Sequence, residues 1–140
     1  MTSRFSNSTN SLSAVRAGMA LVLCSLLLTG CSSGPYESAP VNPDKARETL
    51  TTALESWKNG VTTEDLRQQT PSIVVQDFDW MGGVKLLDYE VLDEGNPESA
   101  NLVSQVKLSL EDKDGAKSEK TVTYLVGTAP VLTVFRDMFK

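Results

Sequence analysis

The sequence predicts an α+β domain: an N-terminal helix packed on an antiparallel meander of four strands, or of five. Three observations predict it. Apolar residues recur at helical spacing from Ala46 to Trp57. Apolar and polar residues alternate from Leu102 to Leu110. Between two such alternating runs stands Asp114-Gly115, a pair that favours a tight hairpin turn because glycine takes positive φ at no steric cost.

The helix comes first. Asn42 is a good N-cap and Pro43 suits the first helical position. Ala46, Leu50, Ala53, Leu54 and Trp57 then fall on one stripe, and Gly60 supplies the stop. Trp57 reads as a core anchor. A short second helix is expected over Thr63–Gln69, capped by Thr62 or Thr63 and closed before Pro71.

Four strands follow. Val84–Leu92 is expected to carry Leu87, Tyr89 and Val91 on one face. Leu102–Leu110 turns Leu102, Val106, Leu108 and Leu110 one way, with Gln105, Lys107 and Ser109 the other way. Lys120–Val126 is rich in Thr, Val and Tyr, and Val131–Phe135 forms a short last strand after Pro130. Glu94-Gly95-Asn96-Pro97 and Gly127–Pro130 read as turns, and the short gaps favour a meander. Ser72–Val75 reads as a fifth strand or an extended lead-in. A helix followed by a run of strands gives a layered α+β structure. In that order, residues 43–137 are similar in topology to cystatin-like and NTF2-like folds, in which a curved sheet wraps a helix.

Composition narrows the function. There is no histidine, which is the commonest general base near neutral pH and the commonest metal ligand. That excludes a Ser-His-Asp triad, a Cys-His pair and a His-Glu-x-x-His zinc site. The two cysteines are Cys24 and Cys31. The net charge is −5; Arg4 and Arg16 are the only charged residues among the first thirty, so removing that leader takes it to −7. Nucleic acid is not expected as a partner, since phosphate contacts need clustered Lys and Arg. No cofactor is expected.

Residues 1–30 read as a leader. Arg16 precedes the apolar run Met19–Leu28, which is shorter than the roughly 20 apolar residues a membrane span needs and suits a signal peptide. Leu28-Thr29-Gly30-Cys31 follows. It resembles the lipobox of bacterial lipoproteins: Leu at −3, small residues at −2 and −1, then Cys. The resemblance implies a diacylglyceryl group on the Cys31 thiol, cleavage before Cys31, and an acylated amino terminus. Two or three acyl chains, at about 0.8 kcal/mol per buried CH₂, anchor stably. Ser32 stands where inner-membrane lipoproteins carry Asp, so the same resemblance implies the outer membrane, facing the periplasm. Cys24 follows bulky Leu23 and fits the pattern poorly.

Residues 31–42 then form the lipidated Cys and a tether, rich in Ser, Gly and Pro. Residues 43–140 form the domain. With the first cysteine removed and the second lipidated, no intrachain disulfide is expected, and the domain must rely on its own core.

The segment Asp77-Phe78-Asp79-Trp80-Met81-Gly82-Gly83 is the most unusual in composition. It reads as a ligand loop, with Asp77 and Asp79 for a cation or hydroxyls, Trp80 for stacking and the glycines as hinges. The plainer reading, which is favoured, is a loop entering the first strand whose Phe78 and Trp80 plug one end of the core. As a strand it would place both carboxylates on one face. Asp112 and Asp114 fit a solvated hairpin turn; as a calcium loop their glycine comes two residues early. Asp88, Glu90, Asp93 and Glu94 could supply an acid and a base, or form the wet face of a sheet.

The expected function is that of a non-enzymatic, membrane-anchored envelope lipoprotein. Its partners would be the membrane, through the lipid on Cys31, and another envelope protein on which the domain docks. The alternative is a small-ligand module using the concave sheet face, with a pocket near Trp80 and Tyr89. A carboxylate-based hydrolase is the third reading.

Overall fold

A computed structural model describes residues 38–140; the leader, Cys31 and the tether up to residue 37 lie outside the described residues. Helix α1 spans Pro43–Lys58. Its cap is as expected from sequence: the Asn42 side chain accepts from the Lys45 N–H at 3.0 Å. The apolar stripe is buried in full, Ala46, Leu50, Ala53, Leu54 and Trp57 all lying in the core. Helix α2 spans Thr63–Gln68, and Thr62 and Asp65 close a reciprocal capping box at its start. The third helix, α3, is a single turn, Phe78–Met81.

The strands are β1 Ile73–Gln76, β2 Lys85–Val91, β3 Asn96–Glu98, β4 Asn101–Glu111, β5 Lys117–Gly127 and β6 Leu132–Arg136. They form one sheet in the order β1-β6-β5-β4-β2, with β3 also pairing β4. β2, β4, β5 and β6 pair antiparallel with their neighbours in that order. β1 runs parallel to β6, with Ile73 opposite Leu132 and Val75 opposite Val134. The sheet is therefore mixed, and a wholly antiparallel meander does not describe it. The connection from β1 to β6 passes through three other long strands, so adjacency in the chain could not reveal this pairing.

Two further expectations are corrected. Asn96 and Pro97 belong to β3, not to a turn; Pro97 has no N–H to give and sits where a short edge strand tolerates it. In β2 the register slips between Leu86 and Asp88. That bulge puts Leu86 in the core and leaves Leu87 37 % exposed, the reverse of the phase that simple alternation predicts.

Helix α1 lies on one face of the sheet. The buried residues of β4 (Leu102, Val106, Leu108, Leu110) and of β5 (Val122, Tyr124, Val126) form the core together with those of α1. On the other face, cross-strand neighbours such as Lys107 and Glu119 pair at 3.0 Å. The chain joins the sheet at one end: the Val41 N–H donates to Ser99 O at 3.1 Å and the Asn42 N–H to Thr128 Oγ1 at 3.0 Å. From there β4 runs its 11 residues to the opposite end, a length of roughly 35 Å.

Candidate functional site

Where β1 ends, Asp77 turns the chain into α3. One carboxylate oxygen accepts the N–H groups of Asp79 at 2.9 Å and Trp80 at 3.1 Å, which makes Asp77 the N-cap of α3. An aspartate there satisfies donors that the first turn of a helix leaves open. The segment is therefore a helical turn rather than a strand, and the two aspartates do not share a sheet face. Asp77 is 0 % exposed. Its other oxygen accepts the Tyr124 hydroxyl at 2.6 Å, and Arg136 Nη1 stands 3.5 Å from the capping oxygen.

Asp79 meets the same Arg136 nitrogen and takes a second cation as well. Lys120 Nζ donates to both of its oxygens, at 3.1 and 3.0 Å, and Arg136 Nη1 donates to one of them. Burial pushes the Asp79 carboxyl up, but the hydrogen bonds from Arg136 and Lys120 outweigh it and hold the group below the ordinary carboxylate range. Burial likewise works against the Arg136 charge, and the bond to Asp79 with the field of Asp77 more than restores it. The Tyr124 phenol is pushed far up by burial and then by the negative charge of Asp77. The cluster is thus an ionised, hydrogen-bonded brace that ties β1, α3, β5 and β6 together.

Trp80 is buried at 7 % exposure, whereas Phe78 is 58 % exposed. Only one of the two expected plugs therefore fills the core. The Trp80 ring stacks on Trp57, centroids 5.1 Å apart and planes 3° from parallel. Each indole N–H is engaged with a backbone carbonyl, Trp80 with Val61 at 3.0 Å and Trp57 with Val84 at 2.9 Å.

A cavity of about 390 Å³ opens against the tryptophan pair, with Val61, Thr63, Met81 and Val84 among its walls. Tyr89 does not line it; its hydroxyl donates to Glu55 at 2.7 Å, and burial with that bond raises its pKa to about 12. A second groove, of about 330 Å³, is lined by Phe78, Asp79, Lys120, Arg136 and Met138.

The other acidic candidates are spread out. Asp88 pairs with Lys58 at 2.8 Å on the surface. Glu90 stands opposite Lys107 in the sheet register. Asp93 accepts from the Gly95 and Gln105 N–H groups and from Ser104, which fixes the turn after β2. Among the described residues no group of three or more Asp, Glu, Cys or His is placed to hold a metal ion.

Tyr124, Lys120 and Arg136 were not singled out by sequence reasoning. One signal was available for Arg136. It falls in phase with Leu132 and Val134 on β6, and an arginine on a buried phase calls for a buried acid. No family model, curated protein or solved structure matches this chain.

Proposed function

We propose that the chain is a lipid-anchored protein of the bacterial envelope, held by Cys31 and acting without catalysis as a docking module for another envelope protein. The observation that carries this reading is the position of the groove between Phe78 and Met138. Phe78 is 58 % and Met138 62 % exposed, and both line the same groove. They flank Lys120 and Arg136, whose charges rest on Asp79. An aromatic and a thioether rim around an arginine match the composition of protein interface centres.

The groove also lies away from the point where Val41 and Asn42 join the sheet. Lys120 stands seven residues along β5 from Gly127, beside which the chain joins the sheet, a distance of roughly 24 Å. Chain entry at one end of the sheet and a groove rimmed by Phe78 and Met138 towards the other leave that groove clear of the entry point. The similarity in topology to cystatin-like and NTF2-like folds belongs to the same proposal. So does the outer-membrane address, which rests on Ser32. Ligand binding on the concave sheet face has less support, because α1 already packs there through Leu50, Leu54 and Trp57.

In-cell cross-linking of the lipidated protein, with the partner identified by mass spectrometry, tests the reading. One dominant partner is expected, reduced by Phe78→Asp and lost with Cys31→Ala. A lipidated protein that captures no partner would overturn the docking role. A protein without acyl mass on Cys31 would overturn the anchor.

A further inference from the structure

The cavity beside the two tryptophans is built more firmly than a surface crease. Trp57 hydrogen-bonds Val84 and Trp80 hydrogen-bonds Val61, so the stacked rings tie down the two segments that form its walls. One wall is Gly60–Thr63 and the other Met81–Lys85. A site whose walls are fixed before binding loses little freedom when a ligand arrives. Its volume, about 390 Å³, falls within the roughly 300–1,000 Å³ of small-molecule sites.

The lining says what would fit. Both indole N–H groups are already engaged, so the rings can offer only apolar and π surface. Val61, Val84 and the exposed thioether of Met81 extend that surface. The rim is cationic. Lys85 lines it with a side chain 74 % exposed. Lys113 reaches over from the β4–β5 hairpin: a β-carbon on Gly83 would sit 3.1 Å from its Cε and 3.7 Å from its Nζ. Lys85 has Glu111 only at 3.6 Å, and Lys113 forms no ion pair among the described residues.

Another groove, about 440 Å³ between α1 and the end of β2, lacks this arrangement. Its Arg47 already holds Glu94 O and Asp44, and its Asp93 holds the turn.

We propose that the Trp57–Trp80 cavity is a binding site for a small planar, largely apolar molecule bearing one negative charge. Its ring packs against the indoles and its anionic group meets Lys85 and Lys113. The site shares no lining residue with the Phe78–Met138 groove.

The chain's two tryptophans are both in this stack, so their indole N–H resonances report on this site alone. The full chain, in a nonionic detergent micelle, is titrated with naphthalene sulfonate and with uncharged naphthalene methanol. Saturable shifts of both indole resonances are expected, with the sulfonate bound roughly fivefold more tightly, the size of a modest exposed ion pair. Lys85→Ala with Lys113→Ala should bring the two probes level, and Thr63→Phe, which fills the cavity, should remove both titrations. The proposal is overturned if neither probe saturates the indole shifts. It is also overturned if the two bind alike to the unaltered chain, or if Thr63→Phe leaves binding unchanged.

Discussion

Two segments of this chain carry aspartates two residues apart, Asp77/Asp79 and Asp112/Asp114, and the fold uses them in opposite ways. At the end of β1, Asp77 is sealed from solvent, caps a helical turn and accepts a buried phenol. In the β4–β5 hairpin, Asp112 and Asp114 stand in water; Asp112 bonds the next backbone N–H at 2.6 Å, and the Gly115 N–H returns to its carbonyl at 2.9 Å. The difference lies in what surrounds each pair. Asp77 meets the inward faces of β5 and β6, whereas the hairpin projects past the core. A carboxylate's energetic weight follows its partners and its burial, and the same two-residue spacing can mark a brace or a mere turn.

The sharpest way to break this comparison is Asp77→Ala. It would strand the buried Tyr124 hydroxyl, two N–H groups of α3 and part of the Arg136 charge, in partly or fully buried surroundings. Breaking a buried, hydrogen-bonded ion pair from one side costs about 3–5 kcal/mol, much of the stability that a small domain has. Urea unfolding followed by tryptophan emission should show a large fall in midpoint, or no folded baseline. Asp77→Asn keeps an acceptor for the N–H groups and should lose less. A loss below about 1 kcal/mol for the alanine variant would mean that the brace is not what holds β1 and β6 together.

Much of the framework was legible in the sequence, and the brace was not. The stripe from Ala46 to Trp57 and the alternation of Leu102 to Leu110 report local burial, which period alone encodes. The parallel pairing of β1 with β6 joins residues far apart in the chain, and no local pattern carries it. The bulge at Leu87 shifts the phase of β2 by one residue, so the alternation misassigned Leu86 and Leu87. Asp77 was visible as an unusual acid, but its meaning depends on Tyr124, 47 positions later, and on Arg136. What the sequence did offer locally was the cap itself: an aspartate opening a one-turn helix that Gly82 ends. That pattern favours helix over strand for this segment.

The middle of the range is Tyr124→Phe. The ring stays, but one Asp77 oxygen loses its donor inside the core, at a cost of about 1–3 kcal/mol at neutral pH. The pH dependence sharpens the test. Burial and Asp77 raise the Tyr124 phenol in the folded state, so the unfolded chain gives up this proton first as pH rises. Stability therefore falls above about pH 10, the ordinary phenol value, and the variant should lose part of that alkaline fall. Tyr89, raised to about 12, would supply a remainder. On the acid side Asp79 works in the opposite sense. Held below its ordinary value, it stabilises above about pH 4, and that contribution fades as pH falls through its folded value. An alkaline limb identical in the variant and the parent would show that Tyr124 ionises without unfolding.

At the small end stands Asp112→Ala. The residue is exposed, its side chain touches only the neighbouring backbone N–H, and the turn keeps both of its backbone bonds, Asp112 N–H to Ala116 O and Gly115 N–H to Asp112 O. Gly115, at φ +80°, sets the reversal whatever side chain precedes it. Surface changes of this kind fall within about 0.5 kcal/mol, so the urea midpoint should hardly move. Lys113 beside it gives this null result a second use. If Asp112→Ala leaves stability unchanged but strengthens naphthalene sulfonate binding, the hairpin's acids were competing for the ammonium that reaches Gly83. The hairpin would then act on the tryptophan cavity through its charge and not through the fold, whereas the Asp77 brace acts through the fold.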